Sequence, residues 1–383
     1  MRILFCTTPG HGHVLPMLPT AWALRSAGHE VLFTTSGPAG PVTGAGLHVV
    51  DVAPGLDVGA IFGRHFASFS GYADAQRSTP RVDFEPFVPV FAEISDAMAD
   101  GTLEVARRWR PDLVLHTNEQ GTGPLVGAAL GIPSVVHGYA FATPMSATLA
   151  VGEHMAATYT RHGAGAYKAP AAQLDLAPPS MRVDVDRPAA PVWPMRTVPY
   201  NGGAALEPWL TRRPERPRIV MTLGTANREQ DNIRVLARLV ELAAGLPVEV
   251  VLLLGNLDGG SLAPLPDNVR AYGWVPLHVL LDTCAGLVHH GGAGTALACL
   301  AAAVPQLILA QSGDQFLNGA VVRDRGAGIF LDSDEVDADT LHRLIADEGI
   351  AAAARQVSAE IAALPSPAEI AVRLTDLVHG EGR

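Results

Sequence analysis

Two short stretches of this chain hold residues whose types and spacing suit chemistry. The first, Gly286-Leu287-Val288-His289-His290-Gly291-Gly292-Ala293-Gly294-Thr295, is an apolar run ending in two histidines and small residues, and the helix-favouring Ala296-Leu297-Ala298-Cys299-Leu300 follows it. That order predicts a buried strand turning through glycines into a helix, whose first N–H groups have no partner within the helix. An anion suits the place, because a phosphate would meet the positive end of the helix dipole with the His290 imidazole and the Thr295 hydroxyl as further donors. A plain strand-to-helix turn would use the same glycines; two histidines facing the turn favour the anion. The second stretch is Pro9-Gly10-His11-Gly12-His13. Imidazoles titrate near neutrality and so suit general acid–base work.

Positioning these groups falls to alternating strands and helices. Strand-like Arg2 to Thr7 leads through the glycine loop to a helix from about Leu15 to Ala27, Gly28 stops it, and Glu30 to Thr34 is a second strand. This opening is a βαβ unit. Further strands are expected at His48–Val52, Pro111–His116 and Ile132–His137, with helices at about Pro89–Trp109 and Gly123–Leu130. Between about Pro178 and Pro217 prolines recur without periodicity, as in a linker. The rhythm then restarts with strands at Arg218–Thr222, Val248–Leu254, Val269–Tyr272, Leu287–His289 and Gln306–Ala310, and the tail from Ala338 to about Val378 reads as helices broken by Pro365 and Pro367. The expected organisation is a first domain over 1–200, a linker over 201–217, a second domain over 218–364, and a last helix over 365–383 long enough to pack back on the first domain. Both domains are α/β and doubly wound, so the C-terminal ends of their sheets would share a cleft.

Composition narrows the partners. A chain of 383 residues with 48% hydrophobic and 17% charged residues is suited to two buried sheets. Its net charge of -11 disfavours nucleic acid and anionic membranes, which call for concentrated Lys and Arg. Cys6, Cys284 and Cys299 lie in apolar surroundings without a C-x-x-C spacing, so buried thiols are expected rather than disulfides or zinc. The absence of a signal h-region or a membrane-length apolar run predicts a cytoplasmic protein.

Several ordered motifs resemble one family. Gly12-His13-Val14-Leu15-Pro16, Thr222-Leu223-Gly224-Thr225, Gly273-Trp274-Val275-Pro276, His289 to Thr295, and Gly313-Asp314-Gln315-Phe316-Leu317-Asn318 resemble the inverting GT-B glycosyltransferases that tailor macrolide, polyketide and enediyne antibiotics. The resemblance spans nearly the whole chain and is strongest from Arg218 to Leu331. It implies a GT-B fold, two Rossmann-like domains facing across a cleft, in which the second domain holds a nucleotide-diphosphate sugar and the first an apolar aglycone. It further implies that Trp274 stacks on the base while the Val275 backbone pairs with its edge. Thr222, Gly224, Thr225, His290, Gly292, Ala293, Gly294 and Thr295 would surround the diphosphate, and Asp314 and Gln315 would bond the sugar hydroxyls. By the same likeness His13, rather than His11, is the general base.

The sequence departs from that pattern twice. Relatives orient the histidine with a carboxylate at the position that aligns with Thr117, which carries no charge; either Glu119, two residues on, substitutes if the loop bends toward His13, or the acceptor is acidic enough to need less help. A carboxylate that often binds the ribose hydroxyls of ribonucleotide donors aligns with Ala298. Without it, a TDP-deoxysugar is expected as co-substrate over a UDP-sugar. Phe62, Phe66, Phe87 and Phe91, with Met145 on a later helix, are candidates for the apolar acceptor wall, although Phe62 and Phe66 at helical spacing fit an ordinary core equally well. Loose D-x-D matches at Asp184/Asp186, Asp332/Asp334 and Asp337/Asp339 are scattered, as solvated turns and helix starts would be, and a metal-independent reaction with no cofactor is expected. A homodimer is compatible with the resemblance. The rivals are a sugar-nucleotide epimerase on the same plan and a non-catalytic accessory protein that keeps only the nucleotide site.

Overall fold

The computed structural model describes residues 1–65, 69, 71–183, 190–210, 212–224, 229–255, 257, 259–262 and 264–380. Its first sheet contains β1 (Arg2–Cys6), β2 (Glu30–Thr35), β3 (Val49–Asp51), β4 (Leu113–His116), β5 (Ser134–His137), β6 (Ala172–Asp175) and β7 (Val192–Pro194), in the order β3-β2-β1-β4-β5-β6-β7. The second contains β8 (Arg218–Thr222), β9 (Glu249–Leu253), β10 (Val269–Tyr272), β11 (Gly286–His289), β12 (Gln306–Ile308) and β13 (Gly328–Phe330), in the order β10-β9-β8-β11-β12-β13. All pairings are parallel. Helices cover both faces, which is why β4, β5 and β11 are buried throughout and read as mainly apolar runs ending in a histidine.

Each sheet reverses its winding once, between β1 and β4 in the first and between β8 and β11 in the second. These are the points where open α/β sheets bind ligands. In register, Cys6 lies beside His116, and Thr222 lies beside His289. The residues that follow these strands are therefore brought together in pairs: the Gly10 loop with Thr117–Glu119, and Gly224 with His290.

Three features differ from the periodicity. The proline-rich stretch contributes β7, whose Pro194 is tolerated because it lies on a sheet edge. Strands β6 and β13 are additional to the strands expected from the sequence. The first helix begins at His11 rather than Leu15: Gly10, at φ 137, turns the chain out of β1, and a helical turn over His11–Val14 precedes the helix Leu18–Ser26.

The C-terminal helix Pro367–His379 leaves the second domain and docks on the first. A capping box between Ser366 and Glu369 starts it and Gly380, at φ 76, ends it. Buried Ile370, Ala371 and Leu374 join the cluster holding Leu18, Ala21 and Val31, Thr375 meets the His29 ring at 3.1 Å, and Arg373 lies over Trp193. Leu374→Ala should therefore cost about 3 kcal/mol through the cavity it leaves. A lower urea midpoint at unchanged slope is the expected readout, and an unmoved midpoint would mean that the helix is undocked in solution. Arg77 of the first domain also pairs with Asp332 of the second at 2.9 Å and covers the Phe316 ring.

Candidate active site

On the first domain's side, the turn at Gly10 places His13 at the strand ends. His13 Nδ1 lies 2.6 Å from Glu119 Oε1, an ion-pair contact at an angle outside a regular hydrogen bond. The Glu119 side chain is wholly buried while that of His13 is 21% exposed; because Nδ1 itself is buried, the exposed part of the ring faces away from Glu119. Burial works against the charge on His13, but the Glu119 carboxylate, with a smaller contribution from Asp314, outweighs it and raises the imidazole above its ordinary value. Burial likewise opposes ionisation of Glu119, and the His13 charge and contact, assisted by Thr117, overcome this and hold the carboxyl below its ordinary value. The carboxylate partner is thus Glu119. Thr117, where the alignment expects it, is buried beside Glu119 with no well-aligned bond of its own. Tyr139, from the loop after β5, stands edge-on to His13 at 5.0 Å, and Phe91 stands edge-on at 6.2 Å.

On the second domain's side, only one of the two histidines faces the turn. His289 is fully buried, with Nε2 2.8 Å from Gln306 Oε1 and Nδ1 accepting the Gly291 N–H at 3.0 Å; burial drops it to about 3, so it is a neutral brace. His290 lines the cleft, and burial lowers it to about 4, so its imidazole is neutral at physiological pH. Its Nδ1 is buried without a hydrogen-bond partner. A side chain at Gly224 or Gly292 would put Cβ 2.5 or 2.6 Å from this ring, so both positions require glycine. Gly291 has φ 90 and its carbonyl is held by Asn318. The helix Ala293–Ala301 then begins without any side-chain cap, leaving its N-terminus to the cleft. Asp314 stands at the start of the helix Gln315–Asp324 but does not cap it; its carboxylate accepts from Asn318 at 3.0 Å. Gln315 Oε1 accepts the Gln311 and Ser312 N–H groups.

The two halves face each other across a cleft of about 620 Å³. From the expected donor set it is lined by Thr222, Gly224, Trp274, Val275, His290, the segment from Gly292 to Thr295, Asp314 and Gln315; from the acceptor set, by Phe62 and Phe91. Trp274 is half exposed, not a core aromatic. Phe87 and Met145 are not on this wall. Phe87 packs on Phe69 and Tyr72, and Met145 is 5% exposed. Phe66 and Thr225 lie outside the described residues. Thr8, Tyr139 and Asn201 line the cleft without having been singled out in the sequence; their signal was position, just past a strand end or inside the linker. Among the described residues no three His, Cys, Asp or Glu side chains cluster as a metal site. Asp332 is paired with Arg77 and Asp337 caps the helix that follows it, whereas Asp184 and Asp186 lie outside the described residues. The cysteines are free, and Cys284 is partly exposed rather than buried.

Two parallel α/β domains closing on a cleft at their switch points, with a histidine–carboxylate pair on one wall and an uncapped helix N-terminus on the other, define the GT-B class of glycosyltransferase. The family models described as Erythromycin biosynthesis protein CIII-like match residues 22–224 with the N-terminal domain and 234–377 with the C-terminal domain, and the chain belongs to this family. It is 40% identical to the elloramycin glycosyltransferase ElmGT of Streptomyces olivaceus over 98% of this chain and 97% of that one. The crystal structure of the glycosyltransferase SnogD from Streptomyces nogalater superposes with a TM-score of 0.86 at 39% identity, covering 99% of each chain. SsfS6, a glycosyltransferase of Streptomyces sp. SF2575 solved with thymidine diphosphate, superposes at 0.82 with 31% identity over 98% of this chain and 99% of that one. The chain is accordingly a natural-product glycosyltransferase.

Proposed function

We propose that the protein is an inverting transferase that moves a deoxysugar from a TDP-sugar to an apolar aglycone, with the 1–200 domain holding the aglycone and the 218–364 domain the donor. One observation carries this reading: His13, paired with a buried Glu119, faces across the cleft from the uncapped helix N-terminus after His290. In the reaction His13 takes the proton of an acceptor hydroxyl through its ring nitrogen away from Glu119. The freed oxygen attacks the anomeric carbon, the bond from that carbon to the diphosphate breaks on the opposite face, and TDP leaves. Glu119 stabilises the imidazolium, while the N–H groups at Ala293 and Gly294, the Thr295 hydroxyl and the His290 imidazole meet the charge that develops on the diphosphate. These donors supply the stabilisation without a cofactor or a metal. Trp274 stacks on the thymine, Asp314 and Gln315 bond the sugar, and Phe62 and Phe91 wall the aglycone.

Ala298 lines the cleft and offers no group to a ribose 2′-hydroxyl, and the TDP complex of SsfS6 supports the same donor class. Calorimetry is expected to give about tenfold tighter binding of TDP than of UDP, the cost of leaving one hydroxyl without a partner; equal affinities would remove the basis for the deoxynucleotide. Turnover is tested by TDP release from a TDP-sugar with and without polyketide-type aglycones. Release that requires an aglycone supports transfer, whereas sugar conversion without one supports the epimerase and binding without turnover the accessory role. Among the described residues no helix is long and apolar enough to cross a membrane, and three free thiols fit the reducing cytoplasm in which we place the enzyme.

A further inference from the structure

We propose that Asn201, in the linker between the domains, is a positioning residue of the nucleotide site that acts through Trp274. This rests on the reading of Trp274 as the platform for the base. Trp274 is half exposed, and the His11 ring, tilted 5.8 Å away, touches it without a hydrogen bond to fix its angle. The linker supplies that hold. The indole Nε1–H donates to the Asn201 carbonyl at 3.0 Å, and the Asn201 side chain is itself anchored on the platform's own segment, its Oδ1 accepting the Leu277 N–H at 2.9 Å and lying 3.3 Å from His278 Nδ1. Side chain and carbonyl of one residue thus grip the two ends of the short run Trp274–Leu277, with Val275 between them.

Gly202 explains how the backbone comes so close. It adopts φ 107, a conformation that favours glycine, and a Cβ there would lie 3.3 Å from the Trp274 Nε1. Asn201 also lines the cleft. Because the tether joins the donor platform to the segment that connects the domains, the ring angle presented to a base is set by the linker and not by the second domain alone.

The test is calorimetric binding of TDP to the full chain. Asn201→Ala removes the anchor and Trp274→Phe keeps an aromatic face but removes the N–H; each is expected to weaken TDP about fivefold, as for loss of one hydrogen bond. Combined, they should again weaken it about fivefold rather than multiplicatively, because both cut one tether. Unchanged affinity in Asn201→Ala, or losses that multiply in the double variant, would overturn the proposal. Trp274→Ala reports on the underlying reading: if it binds TDP like the wild type, Trp274 is not the platform and the proposal falls with that reading. If Trp274→Ala is weakened and Asn201→Ala is not, the platform stands and the tether alone is refuted. Gly202→Ala provides a variant that leaves Asn201 intact, and its Cβ, pressing on the indole, should weaken TDP as well; normal binding there counts against the tether.

Discussion

Glu119→Gln is expected to lower kcat by about 10²- to 10⁴-fold, the range for disabling a general base, while Thr117→Ala costs less than about threefold, as for a peripheral hydrogen bond. The geometry gives the reason: glutamine fills the same volume but cannot balance an imidazolium, and the buried carboxylate of Glu119 is paired with His13. The pH dependence makes the test specific. A general base must be neutral, so activity rises with pH through the pKa of His13, which Glu119 holds above its ordinary value. With glutamine the burial of the ring is left largely unopposed and the acid limb of kcat/KM moves to lower pH. Stability runs the other way. The contribution of His13, whose folded pKa is raised, is fully present below its unfolded pKa and is lost as pH rises through the folded one; that of Glu119, whose folded pKa is lowered, is present above its unfolded value and lost as pH falls through the folded one. The pair thus stabilises the fold most in mildly acidic solution, where the base is least active. A severe loss in Thr117→Ala with Glu119→Gln near normal, or an acid limb that does not move, would assign the partner elsewhere.

His290→Ala should cost about 10²- to 10³-fold in kcat, the usual effect of removing one donor aimed at charge that develops in the transition state. Burial lowers His290 to about 4, so its imidazole is neutral and in the proposed role would donate without a charge to desolvate. Its ring is held between Gly224 and Gly292 and keeps one nitrogen without a protein partner. The same crowding predicts that Gly292→Ala, which would press on the ring from 2.6 Å, weakens TDP binding even though His290 is still present. By contrast a Cβ at Gly294 meets no protein atom within 4 Å, so Gly294→Ala should leave the urea midpoint unchanged and affect only ligand binding. A His290→Ala enzyme with normal kcat would remove this imidazole from the leaving-group side.

These two sites differ in how far the sequence alone reveals them. The His290 turn is legible because its parts are contiguous: an apolar strand, two histidines, glycines and a helix follow one another within a few residues, and local sterics dictate the turn. There the sequence points to His290 as the donor, but its expectation that both histidines face the turn holds for only one of them. Consecutive residues at a strand end point to opposite faces, and the Gln306 side chain on the neighbouring strand claims His289. The phenylalanines show the same limit. Helical spacing identifies a shared apolar face, but only the tertiary packing sets Phe87 against Phe69 and Tyr72, away from the cleft, while Phe62 and the buried Phe91 line it.

From the sequence by itself follow the two α/β parallel-sheet domains and a last helix long enough to pack back, because each depends on short-range periodicity or on a run of adjacent residues; where that helix docks is a tertiary contact. Tertiary structure alone decided the partner of His13. Strands β1 and β4 lie far apart in the chain and become neighbours only in the sheet, and the turn after β4, closed by the Gln120 N–H on the Thr117 carbonyl, brings Glu119 rather than Thr117 back over the strand ends. Burial there makes the choice consequential, because a carboxylate removed from water needs a compensating charge, and His13 stands 2.6 Å away.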